Sequence, residues 1–182
     1  IPSFLERYMK ELKSGYNYGL DLSYYFSEQL GFGFKINIFK SKHELYPIAV
    51  TLPNGSSQYE RMSDNISISF IGPFISTRLL SANKKNCLLM NLGMGYTGYK
   101  NKASLVTDYT ILGSSWGFCW DVGYDIALAN NIALGFQFAY KIGKLKEDDL
   151  SNVYYARTMK LETDDHESLS RIDLSISLTY KK

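Results

Sequence analysis

The feature that most constrains the fold is an alternation of large apolar residues with small or polar residues. It recurs in seven segments, which span residues 16–26, 30–38, 66–80, 88–97, 115–126, 132–141 and 172–181. A period of two places successive side chains on opposite faces of a β-strand, so each segment predicts a strand with one largely apolar face. The composition agrees, because aromatic residues form 15% of the chain and favour strands.

The first segment of the chain departs from this pattern. Leu5, Met9 and Leu12 follow helical spacing, and Ser3 with Glu6 forms a capping-box signature. Gly15 stands where a helix of this length would end. The sequence therefore predicts one short helix at about residues 4–13, followed by an all-β region that starts at residue 16.

The connections between the predicted strands alternate in length. They are short after Phe26, Ser81 and Leu128, and long around 40–65, 99–110 and 143–168. Long strands joined in this way are typical of membrane-spanning β-barrels. At about 3.3 Å per residue and a tilt near 40°, roughly eleven residues cross an apolar band of about 25 Å. We therefore expect an antiparallel up-and-down transmembrane β-barrel of about eight strands, seven of which are evident.

A soluble barrel that binds an apolar ligand would show the same alternation, so residue size decides between the two. The interior of an eight-stranded barrel is just wide enough for side chains, and the bulky set would overfill it. The opposite set contains many glycines, which suit a narrow interior. We expect the bulky set to face lipid. Its predicted lipid-facing aromatic residues are Tyr24, Phe34, Tyr96, Trp116, Trp120, Phe136, Phe138 and Tyr180.

The other face carries charges, which we interpret as a structural network that plugs the barrel; a polar gate for ions or small solutes is the alternative. Pairing the first hairpin about its turn places Asp21 opposite Lys35. Arg78 joins this face if Gly72-Pro73 forms a bulge, because proline cannot donate to the ladder. The predicted lumenal network consists of Asp21, Lys35, Arg78, Asp121, Asp125, Lys141 and Asp173.

Three segments carry a resemblance to a known family. GLDLSYYFSEQLGFGFK (19–35), ISISFIGPF (66–74) and RIDLSISLTY (171–180) resemble the small outer-membrane β-barrel proteins of the OmpA/OmpX type. The resemblance implies eight strands, a monomer, and a place in the bacterial outer membrane after removal of a signal peptide. It implies membrane lipid and lipopolysaccharide as partners, with a surface partner reached through the loops. Two lysines after Tyr180 depart from the aromatic terminus that many members share.

The strand count leads to a further expectation. If the short turns are periplasmic, the segment 16–26 runs inward from outside and the helix is external. We therefore expect that a first strand preceded Ile1. On this interpretation residues 1–15 are an external helical segment, the remnant of the first loop, and residues 16–182 form the barrel domain.

Few residues suggest chemistry. His43 and His166 could act as general bases near neutral pH, but no spacing of nucleophile and base accompanies them. Cys87 and Cys119 lack zinc-site spacing, so we expect both to be free. Acidic loop residues could bind a divalent cation or bridge lipopolysaccharide, although a solvated loop explains them better. They are Glu147, Asp148, Asp149, Glu162, Asp164, Asp165 and Glu167.

Charge and composition narrow the function. The formal net charge is +2 and no run of five like charges occurs, which disfavours nucleic-acid binding. We expect no cofactor and no metal. The leading expectation is a non-enzymatic outer-membrane barrel with a structural or surface-interaction role. The alternatives are a passive pore for small solutes, a lipid-modifying outer-membrane enzyme and a soluble barrel with an apolar ligand.

Overall fold

The computed structural model describes residues 3–51, 55–145, 147–151, 156–160 and 168–180. The predicted short helix and the seven predicted strands are confirmed, and two further short strands occur. The elements are α1 (Ser3–Leu12), β1 (Tyr16–Tyr25), β2 (Leu30–Thr51), β3 (Ser57–Leu80), β4 (Asn86–Leu105), β5 (Thr107–Ala129), β6 (Ile132–Gly143), β7 (Glu147–Ser151), β8 (Ala156–Lys160) and β9 (Arg171–Tyr180).

The strands form one antiparallel sheet in the order β1-β2-β3-β4-β5-β6-β9. Neighbours in this order are also successive along the chain, apart from the hairpin β7-β8, which pairs with β5. This is the expected up-and-down topology. Short turns at 26–29, 81–85 and 130–131 lie at one end of the sheet, which we call the short-turn end. The opposite end, where β2 leads to β3 and β4 to β5, is the loop end.

The central strands are longer than the alternation predicted. β2 to β5 contain 22, 24, 20 and 23 residues. The long loops expected at 40–65 and 99–110 are therefore wrong, since most of these residues extend the strands. β4 turns into β5 across Val106 alone, which has a φ of 61°. The ladders continue because backbone hydrogen bonds need no apolar face, whereas the alternation is interrupted by polar residues such as Lys42, His43 and Glu44.

The sheet has an outer face of exposed side chains and an inner face of buried side chains. Odd positions of β2, β4, β5, β6 and β9 face inward. Contacts across the sheet show how far it curls. Lys35 on β2 pairs with Asp121 on β5, and Arg171 on β9 bonds Asn37 on β2. Inner side chains of strands that are not neighbours in the sheet therefore contact one another.

The bulge at Gly72-Pro73, on which the inward placement of Arg78 was made to depend, does not occur. Ile71 pairs with Tyr96 and Phe74 with Gly93, so the register between β3 and β4 is the same on both sides of the proline. The even-numbered residues of β3 face inward along the whole strand with no change of register, and this places Arg78 on the inner face. The same parity buries Ile68, Phe70 and Phe74 there. The expectation that the bulky residues face outward is therefore wrong for this strand, where large apolar residues occupy both faces.

The loop end of the interior contains an apolar cluster. Phe39, Ile68, Tyr99, Leu145 and Leu169 pack together there, and each is at most 8% exposed. These residues come from β2, β3, β4 and the segments that flank the β7-β8 hairpin. The cluster buries apolar surface between elements that are distant in sequence, which is the main favourable term in folding.

The first and last strands of this order are β1 and β9, which we call the edge strands, and no ladder joins them. Their nearest Cα atoms lie within 8 Å of one another. Both strands run from the loop end to the short-turn end, because Tyr16 pairs with Lys40 and Arg171 with Lys141 at the loop end. In the described part of the chain the sheet is thus not closed, and residues 3–12 form a helix rather than a closing strand.

Candidate functional site

A buried cation occupies the middle of the inner face. Lys35 Nζ lies 2.7 Å from a carboxylate oxygen of Asp21 on β1 and 2.7 Å from one of Asp121 on β5. The side chain of Lys35 is 5% exposed and that of Asp121 is 1% exposed, whereas that of Asp21 is 32% exposed. The register places Asp21 directly opposite Lys35. Lys35 therefore bridges three strands, and Asp121 is its better shielded partner.

A second cluster joins β6 and β9 to β2. Lys141 Nζ pairs with Asp173, and Arg171 Nε lies 3.3 Å from the same carboxylate. Arg171 Nη2 donates to Asn37 Oδ1 at 2.8 Å. Sequence reasoning missed Arg171 and Asn37. Arg171 has the parity of Asp173 on its strand, and Asn37 that of Lys35, so parity alone could have assigned both to the inner face.

Two further predicted network residues also lie on the inner face. Asp125 is buried on the inner face of β5. Arg78 lies near the short-turn end, where its guanidinium stacks 3.9 Å from the ring centre of Tyr25 and Nε donates to the carbonyl of Glu28 at 2.7 Å. The seven predicted residues thus share one face but do not form a single connected network in the described contacts.

Helix α1 docks on the inner face at the loop end. Tyr8 is 1% exposed, and its hydroxyl donates to Asp64 Oδ2 at 2.6 Å. Asn101 donates to the other oxygen of Asp64 at 2.5 Å. Burial, followed by the hydrogen bond to Asp64, raises the pKa of the Tyr8 phenol far above its ordinary value. The sequence signal for this contact was only the helical spacing of apolar residues, which did not single out Tyr8.

His43 belongs to the same docking contact. Its Nε2 lies 2.5 Å from a carboxylate oxygen of Glu11 on α1, and its ring meets the ring of Tyr8 edge-on at 5.3 Å. Neither neighbour is a serine or cysteine nucleophile. His43 is therefore placed to hold the helix against the inner face. His166 lies outside the described residues.

The predicted lipid-facing aromatic residues all lie on the outer face. Trp116 is the most exposed tryptophan at 71%, and Phe138 is the least exposed of the predicted set at 39%. Other large apolar side chains of all seven strands join them. A shallow groove of about 560 Å³ runs between Leu88, Tyr124, Phe136, Leu174 and Ile176 on this face. The exposed apolar surface is therefore continuous across the sheet.

The residue types that could ligate a metal are dispersed in the part of the chain that the structure describes. Among the described residues, no three His, Cys, Asp or Glu side chains are grouped to hold a metal ion. Glu147, Asp148 and Asp149 lie on β7. Glu162, Asp164, Asp165 and Glu167 lie outside the described residues. Cys87 and Cys119 are not joined in a disulfide, and both are buried on the inner face, where Cys119 Sγ donates to Asp121 at 2.9 Å.

Comparison with known proteins identifies no relative. Neither a family model, nor a curated protein, nor a solved structure matches the chain. In the part of the chain that the structure describes, no helix has the length and apolar character needed to cross a membrane.

Proposed function

We propose that this chain is a non-enzymatic outer-membrane β-barrel protein that is held in lipid by its outer face and acts through the surfaces it presents. The observation that carries the proposal is the continuous apolar outer face. On β9 alone Leu174, Ile176 and Leu178 are 76%, 73% and 74% exposed. Soluble monomers rarely expose apolar patches larger than a few hundred Å². Hydrocarbon would solvate such a face without penalty.

The packing of the inner face favours a structural role for its charges, in which they plug the barrel, and disfavours a pore. Its charges are paired in compact clusters, and Phe70 and Phe74 fill space beside them. Lys35 also lies 5.8 Å from the ring centre of Phe74. Buried charges that are paired and packed in this way cost far less than isolated ones, but they leave little room for a conducting path. Measurement of single-channel conductance in a planar bilayer separates the two functions, and a stable open conductance would favour the pore.

The two tryptophans allow a direct test, because the chain contains only these two and both lie on the outer face. We expect brominated lipid to quench their emission after the protein is refolded into neutral vesicles. Trp116→Phe and Trp120→Phe variants assign the signal to each position. Heat-modifiable electrophoretic mobility provides an independent sign of insertion. A monomer that stays soluble without detergent and shows no quenching would overturn the proposal in favour of a soluble barrel.

The enzyme alternative requires a different outcome. A lipid-modifying enzyme with His43 as its base would lose activity in His43→Ala while still inserting. On the structural interpretation the same substitution loosens α1, because it removes the contact with Glu11. Protease accessibility of α1, measured beside lipid turnover, distinguishes these two results.

A further inference from the structure

Four lysines form a compact group on the outer face at the loop end, which we call the lysine patch. Two lie on β2 and two on β4, and they flank polar residues of β3. The register fixes two transverse rows, which are Lys40, Ser67 and Lys100, and Lys42, Asn65 and Lys102. These positions have the outward parity of their strands. The patch is therefore a property of the sheet, assembled from two segments distant in sequence.

The lysine patch borders the apolar part of the outer face. Two rows closer to the short-turn end, Ile36, Ile71 and Tyr96 lie side by side, and Trp116 follows next to Tyr96. The intermediate row contains small residues on β3 and β4, namely Ser69 and Gly98. A Cβ atom at Gly98 would lie 2.8 Å from Ser69 Oγ. The small residues therefore leave a shallow strip on the outer face between the lysines and the apolar residues.

The charge of the patch is only partly compensated. Lys42 Nζ lies 2.8 Å from Glu44, and this hydrogen bond lowers the pKa of the Glu44 carboxyl. Lys40 Nζ lies 5.8 Å from the ring centre of Tyr18. Among the residues whose side chains the structure describes, which leaves out those of β7 and β8, Lys100 and Lys102 make no ion pair. The chain as a whole has a formal net charge of only +2, so the patch is a local concentration of positive charge.

The dimensions of the patch suit phosphate. Two strands of separation place the lysine pairs about 9.6 Å apart, and two residues along a strand correspond to about 6.8 Å. Lysine side chains are long and flexible, so the four ammonium groups can converge above β3. The hydroxyl of Ser67 and the amide of Asn65 supply neutral donors beneath them. Such a set can surround one or two phosphate groups.

We propose that the lysine patch binds the phosphate groups of lipid headgroups at the loop-side border of the membrane. This inference rests on the proposed function, because insertion of the apolar outer face would bring headgroups to the adjacent rows. Charges near a membrane surface attract anionic headgroups, and each lysine adds to that attraction. Phosphate oxygens also form charge-assisted hydrogen bonds with ammonium groups, which are stronger than neutral ones.

The test measures binding of phosphatidic acid with brominated acyl chains to the full chain in maltoside micelles. Trp116 lies beside Tyr96, close to the patch, so bound lipid should quench its emission. Glutamine at Lys40, Lys42, Lys100 and Lys102 should weaken binding by at least about tenfold. A matched variant carries glutamine at Lys10, Lys13, Lys84 and Lys85, changes the net charge equally, and should bind like the wild type. Raising the salt concentration should weaken only the binding that depends on the patch.

Three outcomes would overturn the inference. The first is unchanged binding by the patch variant when its heat-modifiable mobility shows that it is folded. The second is equal quenching by brominated diacylglycerol, which would mean apolar contact only. The third is complete displacement by millimolar inorganic phosphate, which would mean a site for the free ion. A failure of the proposed function looks different, because the wild-type chain would then show no quenching in neutral vesicles.

Discussion

Removal of the buried cation Lys35 should destabilise the protein strongly, and mainly through one of its two partners. Lys35→Met leaves Asp121, which is 1% exposed, with no cation in contact among the residues that the structure describes. Breaking a buried pair in this way costs about 3–5 kcal/mol. Asp21 is 32% exposed, so water replaces part of the lost interaction, and its share is about 1 kcal/mol or less.

A double-mutant cycle measures this division. Lys35→Met with Asp121→Asn removes both charges, so the pair should be less destabilised than the sum of the two single variants by about 1–3 kcal/mol. The corresponding cycle with Asp21→Asn should give a smaller coupling. Asp21→Ala combined with Lys35→Ala should not recover stability, because Asp121 remains without its cation. Lys85→Met, on an exposed turn, is the control for loss of a lysine.

The assay is equilibrium unfolding in guanidinium, with the protein in detergent micelles and tryptophan emission as the signal. The dependence of the free energy of unfolding on guanidinium concentration is compared between variants. Strict additivity of Lys35→Met and Asp121→Asn would refute the reasoning. A coupling to Asp21 that equals or exceeds the coupling to Asp121 would also refute it, because burial would then not decide which partner matters.

Three other outcomes are expected. The pKa of Tyr8 is raised in the folded protein, so the stability that its docking contact contributes is fully present below the ordinary pKa of tyrosine and is lost as the pH rises further. The protease accessibility of α1 should therefore increase above about pH 10, and Tyr8→Phe should flatten this pH dependence. Gly95→Ala should destabilise by about 1–3 kcal/mol, since its Cβ would lie 2.3 Å from a backbone oxygen, whereas Gly123→Ala, with 3.5 Å, should be tolerated in the same unfolding assay. A ten-residue peptide with alternating apolar residues should bind between β1 and β9 with one-to-one stoichiometry, and binding should move the two edges apart, because their nearest Cα atoms lie within 8 Å and an intervening strand needs about 9.6 Å. N-methylation of either alternate set of its amides should abolish binding, and dependence on one set alone would mean addition to a single edge.

The strands and their local register were predictable because they depend on near neighbours. Alternation identifies a strand by the period of its side chains. A tight turn then sets which residues of a hairpin face each other, and this is how Asp21 was placed opposite Lys35. The helix was predictable for a similar reason, since its spacing and its cap lie within a few residues of each other.

Long-range contacts were not predictable from these patterns. The contact of Lys35 with Asp121 depends on how far the sheet curls, which no local spacing encodes. The orientation of β3 was ambiguous because isoleucine and phenylalanine occupy both of its faces, and Ile71 points outward while Phe70 points inward. The docking of Tyr8 on Asp64 joins residues 56 positions apart, through a helix whose apolar spacing suited several partners.

The direction of the two edge strands limits how the sheet can be completed. β1 and β9 both run from the loop end to the short-turn end, so direct antiparallel pairing between them is impossible. On the proposed placement in a membrane, a second copy in the same orientation would present edges of that same direction, so it could pair only in parallel. Outer residues of the edge strands, such as Leu22 at 74% and Leu178 at 74%, are more exposed than Ile36 at 40% on an inner strand, as expected where a neighbour is lacking. Unpaired backbone groups in hydrocarbon cost several kcal/mol each. One strand that runs from the short-turn end to the loop end would satisfy both edges once they separate from within 8 Å to about 9.6 Å, and its apolar residues would continue the rows on either side.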